Sequence, residues 1–185
     1  MGAATTMVTV QEFLQLPEPE GQRMELIGGE VVTMSFGKLR HEIVKKNLNR
    51  ILVVWLSQNR LGEVFVETMF QLDEFNSFIP DLSVVFPNHG DVKTDWIQGA
   101  PEIAVEVVSS ETAATLERKV EFYLSHGGKS VWAANYTTKR GNPCCVSDCK
   151  LSFWSRLCRW NISSGSGNYG KLAILPSGPF SKCGV

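Results

Sequence analysis

Two acidic residues stand in short apolar runs, where a charge is costly. Glu106 lies inside the run IAVEVV at residues 103–108, and Asp81 begins the run DLSVVF at residues 81–86. Both runs are bounded by Pro or Ser and contain several β-branched residues, which predicts buried strands. A buried carboxylate costs several kcal/mol unless a cation, a proton or hydrogen-bond donors offset that cost. Two such acids on neighbouring strands therefore indicate a metal site.

A lysine on the following helix is a third candidate. Ser109 or Ser110 can cap a helix whose apolar residues share one face. Placing residues at 100° intervals sets Lys119 at the edge of this face and points Arg118 the opposite way. An ammonium at this edge could reach an anion near Glu106, where it would stabilise negative charge or orient a water nucleophile.

The earlier elements position two more candidates. Residues 23–27 and 30–34 flank a Gly-Gly pair, which predicts a β-hairpin that carries Glu25. Helical spacing of apolar residues predicts a helix from Lys38 to about Gln58, with His41 facing inwards. The stripe that defines this helix comprises Val44, Leu48, Ile51, Leu52 and Trp55.

The order of elements predicts the fold class. A strand over residues 62–72 precedes the Asp81 and Glu106 strands, and a last strand at residues 130–135 follows the Lys119 helix. Hairpin, helix, three strands, helix and strand together predict an α/β (α+β) fold, with a mixed β-sheet flanked by helices.

Composition sets the broad class. The chain has 185 residues, of which 43% are hydrophobic and 20% charged, as in a soluble globular domain. The N-terminus lacks a secretion-signal pattern, and no apolar run is long enough for a bilayer, so we expect a cytoplasmic protein with no membrane partner.

The ordered motifs resemble one known family. They are ELIGGEVV at residues 25–32, a His that opens a helix, PDLSVV at 80–85, GAPEIAVEVVSS at 99–110 and KVEFYL at 119–124. This series resembles the Uma-type family of predicted restriction endonucleases, within the PD-(D/E)XK nuclease superfamily. The resemblance runs from about Val8 to Trp132.

The resemblance implies a restriction-endonuclease-like core and an endonuclease that hydrolyses phosphodiester bonds. Asp81, Glu106 and the backbone carbonyl of Val107 would hold Mg²⁺, which Mn²⁺ could replace. The expected partner is nucleic acid, with DNA as the first choice and a homodimer possible. The alternative is a catalytically silent member of the same fold that binds nucleic acid or protein.

One position departs from the superfamily pattern. The lysine usually found two residues after the Glu is replaced here by Val108. The resemblance implies that Lys119 supplies that ammonium from the next helix, with Glu25 and His41 as further members of the site. Tyr123 lies four residues after Lys119, and this pair resembles the helix motif of related nucleases.

Each candidate has a simpler structural interpretation. Asp81 could be only a residue at a strand start, Glu106 a buried acid paired with Lys or Arg, and His41 a packed core histidine. A basic helix surface could contact phosphates or merely be solvated. It comprises Lys38, Arg40, Lys45, Lys46, Arg50 and Arg60, with Glu42 as the acid among them.

The last part of the chain differs from the rest. Residues 1–138, the expected restriction-endonuclease-like domain, hold 11 Lys/Arg against 18 Asp/Glu, whereas residues 139–185 hold 7 against 1 and all five cysteines. We interpret 139–185 as an atypical Cys-rich basic tail with few regular elements, created by a shift of reading frame near residue 135. A zinc module and a basic DNA-binding extension are the alternatives.

Overall fold

The computed structural model describes residues 7–90, 95–108, 113–136, 149–155 and 159–163. The helices are α1 (Val10–Phe13), α2 (Leu39–Asn59) and α3 (Ala113–Ser125). The strands are β1 (Gln22–Ile27), β2 (Glu30–Ser35), β3 (Glu63–Val66), β4 (Phe70–Gln71), β5 (Ser77–Phe78), β6 (Leu82–Val85), β7 (Ile97–Gln98), β8 (Ile103–Val108), β9 (Ser130–Tyr136), β10 (Cys149–Ser155) and β11 (Arg159–Ser163).

The strands form two sheets. The first has the order β2-β1-β5-β4-β7 and begins with the predicted hairpin, whose turn is made by Gly28 and Gly29 at φ values of 60° and 74°. A positive φ at both turn positions suits a tight two-residue hairpin. The second sheet has the order β11-β10-β9-β8-β6-β3, in which β8 and β9 are parallel and α3 connects them.

Two apolar clusters hold the second sheet between helices. One cluster joins α3 to both sheets, through residues such as Phe78, Ala104 and Tyr123. The other packs α2 on the opposite face of the second sheet, where Leu48 and Leu52 meet Val105. The predicted class, a mixed α+β fold with flanking helices, is confirmed.

Three predictions about elements were wrong in detail. The strand expected over residues 62–72 is broken into β3 and β4, which belong to different sheets, because Glu67 between them adopts a left-handed φ of 47°. Residues 87–101, where the sequence predicts no strand, contain β7. On α2 the buried stripe includes Leu56, whereas Ile51 and Trp55 are 53% and 48% exposed. The predicted Ser caps of α3 lie outside the described residues.

Where the structure describes the tail, it contains two strands, β10 and β11. β10 pairs with β9 over seven positions, from Cys149 opposite Tyr136 to Ser155 opposite Ser130, and β11 pairs with β10. The run KLSF and the run RWNIS alternate polar and apolar residues, which is the period of a strand. Cys149 begins β10, and the other four cysteines lie outside the described residues.

Within the described residues, no helix combines the length and apolar character that crossing a bilayer requires.

Candidate functional site

The two strand acids are neighbours across the second sheet. Leu82, the first residue of β6, pairs with Val105 of β8 in antiparallel register, so Asp81 and Glu106 each adjoin this pair. Both acids are almost fully buried, at 2% and 3% exposure. Glu106 lies two residues after Ala104 and therefore faces α3, whereas Asp81 contacts the backbone of β8 and His41 of α2.

Asp81 is held by donors on both oxygens. Its Oδ2 accepts the backbone N–H of Val107 at 2.7 Å and lies 3.1 Å from His41 Nε2. Its Oδ1 lies 3.5 Å from Nη2 of Arg23. Burial raises the pKa of Asp81, but His41, the Val107 amide and Arg23 outweigh burial and lower it below the ordinary 3.8. The carboxylate is thus ionised although it is buried.

His41 lies in the first turn of α2, with a carboxylate at each ring nitrogen. Nδ1 is 3.1 Å from Glu42 Oε1, and Nε2 is 3.1 Å from Asp81 Oδ2. Burial lowers the pKa of His41, but the two carboxylates outweigh burial and raise it above 6.5. Because both nitrogens face acceptors, the protonated ring can donate to both at once. His41 is placed to fix Asp81 and Glu42 rather than to ligate a metal.

Lys119 of α3 bridges two buried acids from different sheets. Its side chain is 1% exposed, and its Nζ lies 2.8 Å from Oε1 of Glu106. The same Nζ lies 3.2 Å from Oε1 of Glu25 and 3.1 Å from Oε2, the latter an ion-pair contact without hydrogen-bond geometry. Glu25 also accepts the backbone N–H of Ile79 at 2.8 Å, and Tyr123 donates to Glu106 at 3.1 Å.

Sequence reasoning missed a second layer of charges around Asp81. Arg23 Nη1 lies 3.3 Å from Glu67 Oε1, and Lys45 Nζ lies 2.8 Å from the same oxygen and 2.7 Å from Glu42 Oε2. Lys45 is 6% exposed, so its assignment to a solvated or phosphate-contacting helix surface was wrong. Arg23 had a detectable signal, because it lies two residues before Glu25 and so shares its face of β1.

Comparison with known proteins identifies the family of this chain. Residues 10–142 match the model of the Uma2 family, described as "Putative restriction endonuclease". The match covers well over half of the sequence. The chain belongs to the Uma2 family.

Two individual proteins are similar to this Uma2 chain. An uncharacterised protein of Synechocystis sp. (strain ATCC 27184 / PCC 6803 / Kazusa) is 28% identical over 126 residues, which span 65% of this chain and 70% of the relative. A crystal structure titled as a "putative nuclease belonging to DUF820" from Anabaena variabilis superposes with a TM-score of 0.69. It is 17% identical, with 89% of each chain covered, which supports the restriction-endonuclease-like fold.

The donor set of this Uma2 chain suits Mg²⁺ without forming a complete cage. In the part of the chain that the structure describes, no three His, Cys, Asp or Glu side chains converge as a metal-binding group. Mg²⁺ usually takes one or two carboxylates and completes its shell with waters and substrate oxygens. Asp81 and Glu106 would be those two carboxylates. Val107 aims its N–H at Asp81, and a strand residue presents its carbonyl at the same edge as its N–H.

Proposed function

We propose that this Uma2-family chain is a Mg²⁺-dependent endonuclease that hydrolyses phosphodiester bonds in DNA. The carrying observation is that Asp81 and Glu106, which adjoin the paired residues Leu82 and Val105, are both almost fully buried, with the Lys119 ammonium 2.8 Å from Glu106. Hard oxygen donors beside a buried cation match the demands of phosphoryl transfer, which depends on positioning and charge stabilisation.

The residues divide the work in this proposal. Asp81, Glu106 and the carbonyl of Val107 would hold Mg²⁺, which supplies a polarised phosphoryl oxygen and a more acidic water when bound. Lys119 would stabilise the negative charge that builds on the phosphate. His41 holds Asp81 in its rotamer through the 3.1 Å contact, and Glu25 orients Lys119.

A specific observation favours a second candidate, a silent binding member of the family. Asp81 and Glu106 already have cationic partners from the protein, Arg23 for the first and Lys119 for the second. A buried acid paired only for stability would show the same contacts. In that case the protein would bind nucleic acid or protein without cleaving it.

Cleavage of supercoiled plasmid DNA with Mg²⁺, Mn²⁺ or EDTA tests the proposal. We expect metal-dependent nicking that Asp81→Asn and Glu106→Gln each reduce by about 100-fold or more, by analogy with the loss of a charge-stabilising group. Glu102→Gln is the matched control. Glu102 is a half-buried acid just before β8, and it bonds His89 at 3.1 Å and the backbone N–H of Phe86 at 3.0 Å.

The outcomes separate the candidates. Nicking by the wild type and by the Glu102 variant, but not by the two site variants, supports the proposal. Retained DNA binding without metal-dependent cleavage supports the silent member instead. A parallel assay on single-stranded and duplex RNA shows whether the substrate assignment needs correction.

A further inference from the structure

Arg23 occupies a position that the proposed mechanism does not use. Its side chain is 17% exposed and lies between two acids, 3.5 Å from Asp81 Oδ1 and 3.3 Å from Glu67 Oε1. Its Nε is buried and has no hydrogen-bond partner in the structure. The guanidinium therefore contacts the buried Asp81 through one nitrogen and the more exposed Glu67 through another. Neither acid receives two parallel hydrogen bonds from it.

Both contacts of Arg23 are long for ion pairs. Charge-assisted N–H···O bonds are usually about 2.7–2.9 Å, and an Arg locked on a carboxylate usually makes two parallel bonds. Arg23 instead gives one nitrogen to Asp81 and another to Glu67. Burial disfavours the charge of Arg23, but Asp81, Glu25, Glu106 and Glu67 outweigh burial and raise its pKa. The group is a permanent cation in the field of the proposed metal ligands.

Glu67 is held firmly as the outer acceptor. It adopts a φ of 47°, unusual for a residue with a side chain, and its backbone N–H donates to the carbonyl of Asp81 at 3.3 Å. Lys45 Nζ lies 2.8 Å from Oε1 of Glu67. The Glu67 side chain is 40% exposed. Backbone strain of this kind persists where surrounding contacts enforce it, often at functional sites.

We propose that Arg23 is the built-in counter-cation of the Asp81 site and exchanges with the divalent metal. In the metal-free protein it neutralises Asp81, and when the metal binds, its ion pair moves entirely to Glu67. Arg23 is thus a positioning residue that sets metal affinity. This inference rests on the proposed function, because it assumes that Asp81 is a metal ligand.

Mn²⁺ binding to the full chain, measured by titration calorimetry and by the spectrum of free Mn²⁺, tests the exchange without an activity assay. Arg23→Met should bind Mn²⁺ about tenfold more tightly or better, because a unit charge close to the ligands has been removed. Glu67→Gln should bind several-fold more weakly, because Arg23 then has Asp81 as its remaining carboxylate partner. Arg118→Met is the control, since that exposed arginine pairs with Glu30 at 3.4 Å and should leave affinity unchanged.

The double variant Arg23→Met, Glu67→Gln tests whether Glu67 affects metal binding through Arg23. If Glu67 acts through Arg23, most of the Glu67→Gln effect disappears in the Arg23→Met background. An effect of equal size in both backgrounds would overturn the exchange, as would equal Mn²⁺ affinity of wild type and Arg23→Met. If Arg23→Met does not fold, Arg23→Gln and the Glu67 variant carry the same test.

Failure of the proposed function is recognised separately. Wild-type binding that is lost in Asp81→Asn, together with no response to Arg23→Met, overturns the role of Arg23 and leaves the metal site standing. Absence of Mn²⁺ binding in the wild type, Arg23→Met and Asp81→Asn alike overturns the metal site and the exchange together.

Discussion

Lys119 has a structural and a chemical task in one ammonium group. It pairs with two acids that are almost completely buried, Glu25 on the first sheet and Glu106 on the second. A buried ion pair adds little to stability when it is intact, because desolvation offsets the attraction, but losing one partner is expensive. The site therefore depends on Lys119 for folding as well as for the proposed reaction.

Replacing this lysine should affect both properties. We expect Lys119→Met to lower the free energy of unfolding by about 3 kcal/mol or more, because two buried acids lose their cation. It should also sharply reduce metal-dependent cleavage by the folded fraction. Urea unfolding and plasmid nicking measure the two effects.

A matched substitution separates this role from a general loss of helix charge. Arg118→Met removes a side chain that is 48% exposed and should change the free energy of unfolding by less than about 0.5 kcal/mol. Adding Glu25→Gln to Lys119→Met should recover part of the lost stability, because one uncompensated charge disappears. Equal destabilisation by Lys119→Met and Arg118→Met would contradict this role of Lys119.

The raised pKa of His41 predicts that the protein becomes less stable as the pH rises. Its pKa is raised above 6.5, so the stabilisation that it contributes is complete below 6.5 and is lost as pH rises through the folded value. Asp81 has a lowered pKa, so its contribution is present above 3.8 and is lost only in acid. Without added metal, the wild type should lose stability as the pH rises above 6.5 and passes the raised pKa of His41.

The comparison with a histidine variant checks the assignment. His41→Gln should start with lower stability and should lack the decrease assigned to His41 over the same pH range. Urea melts at several pH values give the free energies of unfolding. A parallel decrease in both proteins would assign the effect to another group.

Residue types, spacing and the family resemblance were enough to select Asp81, Glu106, Lys119, Glu25 and His41. The structure places them in two sets of contacts, Asp81 with His41, and Lys119 with Glu25 and Glu106. Their catalytic and metal-binding roles stay predictions. The partners of Asp81 could not be predicted, because Arg23 is 58 positions away in sequence and the contact depends on how the two sheets meet. A long-range contact of this kind leaves no local pattern.

Helix α2 shows how an element can be predicted while its buried side is misplaced. The sequence indicates a helix from 38 to 58, and the structure has Leu39–Asn59. The apolar residues cover a wider arc than the sheet can bury, so periodicity alone does not choose between Leu56 and the pair Ile51 and Trp55. Packing against the sheet decides which residues are covered.

Adjacent residues of equal volume test this packing. Leu52 is 5% exposed and Ile51 is 53% exposed. Leu52→Ala should cost about 2–5 kcal/mol of unfolding free energy, because it leaves a cavity against the second sheet. Ile51→Ala should change it by about 0.5 kcal/mol or less. Thermal melts rank the stability losses of the two variants. A larger loss for Ile51→Ala would show that α2 packs on the sheet through the Ile51 side.

The strand break at Glu67 is a second limit at the scale of elements. Left-handed φ values are usually signalled by Gly or Asn, and the sequence around residue 67 reads VFVETMF, which favours one continuous strand. The structure breaks it there and sends β3 and β4 to different sheets. The ion pairs of Glu67 with Arg23 and Lys45 offset the cost of its left-handed backbone. Local sequence propensity does not contain these long-range contacts.

At the scale of the whole molecule, the site lies where separate elements meet. The hairpin supplies Glu25, α2 supplies His41, α3 supplies Lys119, and the second sheet supplies Asp81 and Glu106. The apolar cluster around Phe78 and Tyr123 joins the two sheets directly beside these charges. Relative movement of the two sheets would therefore separate Glu25 from Glu106, the two acids that Lys119 contacts.

The last prediction concerns the tail. β10 pairs with β9 along its full length, so β9 is an interior strand of the second sheet. Removing residues 139–185 would expose the backbone donors and acceptors of β9, and an exposed sheet edge promotes association between chains. We expect a chain that ends at residue 138 to melt at a lower temperature and to form larger species, as measured by calorimetry and light scattering.

The same experiment decides between the interpretations of the tail. If residues 139–185 were an unselected product of a frameshift, their removal would leave the melting temperature unchanged or raise it. If they formed a zinc module, the full chain would bind Zn²⁺ stoichiometrically, and a chelator would lower its stability to that of the shortened chain. A stability loss without zinc binding would show that the β10–β11 hairpin belongs to the folded sheet, because the new edge of β9 then accounts for the loss.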